Sequence, residues 1–239
     1  SCVMCLEITS AAGAGLYVKN YSFYKNVLTN SKERTALISA GASAEMTNVS
    51  INGNILRESA TNALLVVDSD AAAVTDGLTI SDNVLIQTGG SSPAIYALDA
   101  NGVVITRNNV SGSPYNSVLV HNSSVNICNN TFDGSQRDSV RFSGTSNNCY
   151  VMNNQILDYG QSGAFRGVWA DTTTSAIYVI NNFFKYGAGA SGAYAVDLYS
   201  SPDGVISGVY TAQATQNPVF RNGTGGRNNY ESCGYDRNV

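Results

Sequence analysis

One short pattern recurs along this chain: an apolar residue, two residues, an asparagine, one residue, and a second apolar residue. It stands at Phe23-Asn26-Leu28, Ile51-Asn54-Leu56, Ile80-Asn83-Leu85, Ile105-Asn108-Val110, Ile127-Asn130-Phe132, Val151-Asn154-Ile156 and Val179-Asn182-Phe184. A degenerate eighth copy is read at Val205-Gly208-Tyr210, with Gly in place of Asn. The steps between copies are 28, 29, 25, 22, 24, 28 and 26 residues. Units of that size cannot bury an apolar face alone, so they must stack on one another into a solenoid. They are too short for the 40 or more residues of a four-stranded propeller blade, and they lack the leucine spacing of horseshoe repeats.

The asparagine is expected at a sharp bend between strands, because Asn accepts a left-handed backbone better than other non-glycine residues. If the bend recurs in every coil, the amides stack and can bond to one another. Each unit carries a further strand of strict alternation, about ten to fifteen residues after the motif Asn. Its inward pairs read Leu65/Val67, Tyr96/Leu98, Val118/Val120, Val140/Phe142, Val168/Ala170 and Val196/Leu198. Period-two strands joined by QTGGSSP, SGSP and DGSQRD leave no room for a helix in most coils.

The strings VITRNNV, VNICNNTF, YVMNNQI and YVINNFF resemble the parallel β-helix repeat of the pectate-lyase-like superfamily, and within it most resemble a phage tailspike β-helix domain. The resemblance spans residues 23–210. It implies an all-β, right-handed, single-stranded parallel β-helix of about eight coils with an internal Asn ladder. Residues 1–22 are then expected to be an N-terminal coil continuing from an upstream region. Residues 211–239, where the repeat is lost, are expected to form an irregular cap or tail, with Phe220 and Tyr230 as plugs. The superfamily houses lyases, hydrolases, epimerases, adhesins and tailspikes, so function has to be argued from the surface.

Hydrophobic residues make up 43% of the 239, enough to fill a continuous interior. Only 13% are charged. That suits stacked strands, where like charges repeated on every rung repel across about 4.8 Å. A net charge of −4 offers no basic stripe for a phosphate backbone, which argues against nucleic acid. No apolar run approaches the 18 or more residues of a membrane-spanning helix, so no membrane insertion is expected. Five cysteines cannot all pair within the chain, and reduced or buried thiols are expected; Cys2 and Cys5 form a C-x-x-C without a second pair. With one histidine in the chain, neither a metal site nor a cofactor is expected.

The alternating strand also defines outward columns along the solenoid. One reads Val66, Ala97, Leu119, Arg141, Trp169, Asp197; the next reads Asp68, Asp99, His121, Ser143, Asp171, Tyr199. The later rungs gather the only Trp and the only His beside Arg and Asp residues. A flat ring beside directional hydrogen-bonding groups suits sugars, whose C–H faces are apolar and whose hydroxyls need partners. Trp169, Arg141, His121, Asp99 and Tyr199 are therefore the expected substrate-binding residues.

Asp171 and Asp197 lie one outward position apart on adjacent coils, about 6 Å between backbones from a 4.8 Å rung and a 3.3 Å rise. Hydrolysis needs carboxylates about 5–5.5 Å apart for retention or about 6.5–9.5 Å for inversion, so this pair is the expected catalytic one. A lyase would need cations for a uronate, and the lysines are few: Lys19, Lys25, Lys32 and Lys185. Hydrolysis therefore ranks above elimination. Leu64, Val66, Ile95, Ala97 and Leu119 read as an apolar outward stripe, an expected trimer interface of the tailspike kind. The leading expectation is a tailspike-like host-recognition protein, outside the cell or on a virion, that binds and can depolymerise a cell-surface polysaccharide. A secreted bacterial lyase, hydrolase or epimerase and a non-enzymatic adhesive stalk are the alternatives.

Overall fold

The structure is a computed structural model and describes residues 4–10, 16–70, 74–171, 174–186, 194–198, 201, 203–212, 220–222 and 234–236. Among the described residues every regular element is a strand, and all pairings are parallel. Each coil visits three sheets in turn. The first sheet runs Met4–Ser10, Arg34–Ala40, Leu65–Ser69, Ile95–Leu98, Val118–His121, Val140–Ser143, Val168–Ala170, Val196–Leu198 and Phe220–Asn222. The second runs from Tyr17–Tyr24 to Val205–Ser207, and the third from Val27–Ser31 to Gly234–Asp236. The chain is thus the all-β parallel solenoid that the repeat implied. The motif itself straddles a corner: in the fourth copy Ile105 lies in the second sheet and Val110 in the third, with Asn108 between them.

At that corner the asparagines form a continuous line of amides. Each of Asn26, Asn54, Asn83, Asn108, Asn130 and Asn154 donates its backbone N–H and its side-chain N–H to the Oδ1 of the next coil's asparagine, at 2.9–3.2 Å. The line ends at Asn182, the last acceptor. From Asn54 to Asn182 these side chains are buried, and every polar atom that burial removes from water is answered by the ladder or a nearby carbonyl.

The left-handed residue is not the asparagine, as expected, but its predecessor: Lys25, Gly53, Asp82, Arg107, Asn129, Asn153 and Asn181 all have φ between 53° and 66°. Asn is required for its amide, which both donates and accepts, while the bend is delegated one residue upstream. The eighth copy is corrected by the same logic. Val179 pairs with Ile206, so Gly208 occupies the bend position of Asn181, and Val209 occupies the ladder position. Val has no amide to extend the line.

Inward columns of Ile, Val, Leu and Phe from the three sheets merge into one core. The inward pairs expected on the first sheet hold at Leu65/Val67, Val118/Val120, Val140/Phe142, Val168/Ala170 and Val196/Leu198, all buried. The exception is one coil: Leu65 pairs with Ile95 and Val67 with Ala97, so Ile95 and Ala97 point inward while Tyr96 and Leu98 face out. Ala94-Ile95-Tyr96-Ala97-Leu98 is apolar in both parities, and a slip of one residue exchanges the faces. Placing Tyr96 outward keeps its hydroxyl from needing a buried partner.

The expected apolar stripe is corrected accordingly. Leu64, Ile95 and Ala97 are core residues, and Leu64 fills a corner position ahead of its strand. Val66 does face outward but is covered within a small cluster with Leu37, Ala63 and Tyr96, and only Leu119 remains half-exposed. Within 211–239, the described strands Phe220–Asn222 and Gly234–Asp236 add rungs to the first and third sheets. Tyr230 lies outside the described residues. Cys5 is disulfide-bonded, contrary to the expectation of thiols throughout, whereas Cys128 and Cys149 are free.

Candidate functional site

Corrected for the register of Ile95–Leu98, the outward column of the first sheet reads Leu37, Val66, Tyr96, Leu119, Arg141, Trp169, Asp197. The next reads Ser39, Asp68, Leu98, His121, Ser143. Asp171 follows the strand end Ala170, its N–H donating to the Phe142 carbonyl at 3.0 Å. Wall chemistry therefore changes along the axis, from apolar rungs to a patch built on Arg141 and Trp169.

In that patch two guanidiniums lie over one indole, Arg141 at 4.2 Å and Arg166 at 4.8 Å from the ring of Trp169. A carboxylate holds each of them as well: Arg141 Nη2 is 3.3 Å from Asp171 Oδ2, and Arg166 Nε is 3.2 Å from Asp197 Oδ2. A cation over an indole is worth about 0.5–2 kcal/mol depending on desolvation. The larger consequence is geometric, because a guanidinium held by a ring and a carboxylate presents its remaining N–H donors in a fixed direction.

Beneath them lies Asp138, a buried carboxylate whose Oδ1 accepts the Arg166 backbone N–H at 2.7 Å. Burial pushes its carboxyl above the usual range, and the bond from Arg166 with the charges of Arg166 and Arg141 only partly offsets this. Arg166 and Asp138 were missed from sequence. Their signal was positional: each stands two residues before an inward valine, Val168 and Val140, so both occupy one place in successive coils.

Two rungs before Trp169, His121 Nδ1 lies 2.9 Å from Ser143 Oγ. The Ser143 hydroxyl donates to the Val120 carbonyl at 3.2 Å and so accepts from Nδ1–H. That network assigns the neutral ring's proton to Nδ1 and leaves Nε2 as an acceptor. Asp99 is not a wall residue as expected: it sits at the turn after its strand with φ 52°, in line with Asn122 and Gly144, where a short polar residue or glycine serves the bend. Tyr199 lies outside the described residues.

The structure thus joins Trp169, Arg141, Asp171 and Asp197 in one lattice with Arg166, and sets His121 with Ser143 in the neighbouring column. Both carboxylates expected to be catalytic are engaged by arginines, and the Asp197 side chain is only 1% exposed. An acid and a base for hydrolysis must both reach the scissile bond. As folded, Asp197 instead orients Arg166. What this wall presents to a ligand is the half-exposed Trp169, Arg141, Arg166, His121 and Asp171.

A family model described as right handed beta helix region matches residues 5–184. No curated protein matches the chain. Among solved structures, the Streptococcus pneumoniae surface protein and adhesin PfbA is similar at 12% identity and a TM-score of 0.44, over 94% of this chain and 79% of that one. A second structure of PfbA, described as a surface adhesin of the same organism, is similar at 9% identity and a TM-score of 0.29, over 95% of this chain and 76% of that one.

Proposed function

Because this chain belongs to the right-handed β-helix family, its outward columns are continuous walls, and we propose that the wall from Leu119 to Trp169 binds an extended cell-surface saccharide without cleaving it. The observation that carries this reading is Trp169 under two guanidiniums, each fixed by its own carboxylate. Ring and oriented donors together match the alternation of apolar C–H faces and hydroxyls in a sugar. Parallel rungs repeat that wall at a constant spacing, which suits a polymer. Binding is favoured over hydrolysis because Asp197 is buried under Arg166.

An extracellular or surface setting fits the Cys5 disulfide, since such bonds persist in oxidising compartments. A trimeric tailspike is not the favoured form, as three of the five residues expected at its interface lie in the core. The 239-residue chain is expected to sediment as a monomer.

The test is retention on a panel of immobilised bacterial and host polysaccharides, with size analysis of the released glycan. Trp169→Ala is expected to lose about 2 kcal/mol of binding, roughly thirtyfold, the scale of a buried aromatic anchor. Glycan length is expected to stay unchanged. Equal retention by wild type and Trp169→Ala on every glycan would overturn the reading. Shortening abolished by Asp171→Asn or Asp197→Asn would replace it with hydrolysis.

A further inference from the structure

Ahead of the Trp169 wall, at the corner where each coil enters the first sheet, lies a second ladder that the patch above does not use. Tyr115, Arg137 and Phe165 each stand three residues before an inward valine, Val118, Val140 and Val168, on three successive coils. The Arg137 guanidinium lies 4.1 Å from the Tyr115 ring and 5.6 Å from the Phe165 ring. All three residues are partly exposed.

What sets Arg137 apart from Arg141 and Arg166 is its charge balance. Those two pair with Asp171 and Asp197, while no carboxylate among the described residues lies within 4.0 Å of Arg137. The adjacent Asp138 is turned to the Arg166 backbone, and the charges acting on it come from Arg166 and Arg141. Rings from the coils on either side lie near the Arg137 guanidinium, and a cation–ring contact does not use its N–H donors, which a carboxylate would otherwise occupy. In a chain of net charge −4, this is a local cation with free donor capacity.

We infer that Arg137, held between Tyr115 and Phe165, is an oxyanion subsite that takes the carboxylate or sulfate of an acidic sugar. A planar fork meets either group through two parallel N–H···O bonds. Arg137 precedes Arg141 by four residues in the same coil, so their Cα atoms are at most about 14 Å apart by chain reach. A saccharide lying on the Trp169 wall could therefore place a neighbouring acidic unit here. The inference rests on that wall being a glycan site, and it adds the charge class of the ligand. The exposed amides of Gln136 and Gln161, hydrogen-bonded at 2.9 Å, flank the subsite with hydroxyl partners.

Titration with glucuronate, glucose 6-sulfate and glucose, followed through the arginine Nε–H signals of the intact chain by NMR, tests the subsite by itself. Arg137→Lys supplies the assignment. The expected result is a saturable shift of the Arg137 signal with glucuronate, glucose 6-sulfate or both, and none with glucose. The arm that saturates at lower concentration identifies the source of the anion. Arg137→Lys keeps the charge but loses the fork and the ring contacts, and is expected to weaken anion retention at least tenfold with an unchanged far-UV spectrum. An Arg137 signal that stays still with both anions, moves equally with glucose, or moves no more than those of Arg141 and Arg166 would overturn the inference. Such a failure is separable from failure of the wall, which is read by Trp169→Ala on polysaccharides.

Discussion

Replacing Asn108 by alanine removes the middle rung of the amide line and asks how much of the solenoid's stability resides there. Asn108 Oδ1 accepts the backbone N–H of Asn83 at 3.0 Å and its side-chain N–H at 2.9 Å. Its own Nδ2 donates to the carbonyls of Ile80 and Thr106 and to Asn130 Oδ1, at 2.9–3.1 Å. The Asn83 side chain keeps a bond to the Ile51 carbonyl, so the Asn83 backbone N–H is the donor stranded outright. A stranded buried donor costs about 1–3 kcal/mol, and each under-satisfied acceptor adds less because a carbonyl has a second lone pair. The sum is about 3–5 kcal/mol. At roughly 2–4 °C per kcal/mol for a chain of this length, that is about 6–20 °C in Tm. Asn26→Ala is the control: its position is half-exposed, water replaces its bonds, and the expected cost is about 1 kcal/mol or less. Urea unfolding by far-UV circular dichroism, with parallel thermal melts, measures both. Equal costs for the two variants, or less than about 1 kcal/mol for Asn108→Ala, would refute the view that the amide line is a buried, fully engaged network.

Three further outcomes follow from the geometry. Burial raises the Asp138 carboxyl above its ordinary value of 3.8, so the fold disfavours its ionised form; this contribution to stability is fully present below 3.8 and is lost as pH rises through the raised value. Asp138→Asn keeps an acceptor for the Arg166 N–H and should flatten that part of the urea-midpoint profile without loss at neutral pH; an unaltered profile would refute the assignment. Gly144→Ala should cost about 1–3 kcal/mol and weaken glycan retention, because φ is 61° and the added Cβ would strike Asn122 Oδ1 and come within 2.9 Å of His121 Cε1; a neutral variant by calorimetry would count against it. A thiol reagent should label Cys128 in the native chain and reach Cys149 only on unfolding, since burial pushes the Cys149 thiol up to about 12, and mass mapping of the label decides between them.

What could be read from the sequence, and what could not, divides along the physics of the repeat. The ladder positions were legible because a buried amide that must both donate and accept at one corner of every coil tolerates few substitutes. Its mechanism was misjudged by one residue: the bend falls on the residue before the ladder Asn, which is Asn, Asp or Gly in five of the seven coils but Lys25 and Arg107 in the other two. Where two asparagines stand together, as at Asn129-Asn130, the pattern does not say which one bends and which one bonds. Strand register was legible where apolar and polar residues alternate, as at Val140–Ser143. It failed at Ile95–Leu98, where both parities are apolar and only the pairing with Leu65 and Val67 decides. That slip set Ile95 and Ala97 on the outward face, and with the corner residue Leu64 they made up three of the five residues of the expected stripe.

The candidate site was half legible for a related reason. Arg141, Trp169 and Asp197 lie on three adjacent strands, with Asp171 just past the end of the second, and pairing of those strands brings them together. Arg166, Asp138 and Arg137 lie in turns, where coil length varies and no period marks which way a side chain points. Yet these turn residues decide what the strand residues do. Asp197, one rung from Trp169, reads from sequence as a candidate acid or base. With Arg166 in place, its charge is spent on orienting a guanidinium over the indole. Charged residues are only 13% of this chain, and three arginines gather on two neighbouring coils, Arg141 within the first sheet and Arg137 and Arg166 at the corner leading into it. Two of them are neutralised by carboxylates and one is left between rings. That difference is the reason to expect the wall to distinguish an acidic saccharide from a neutral one.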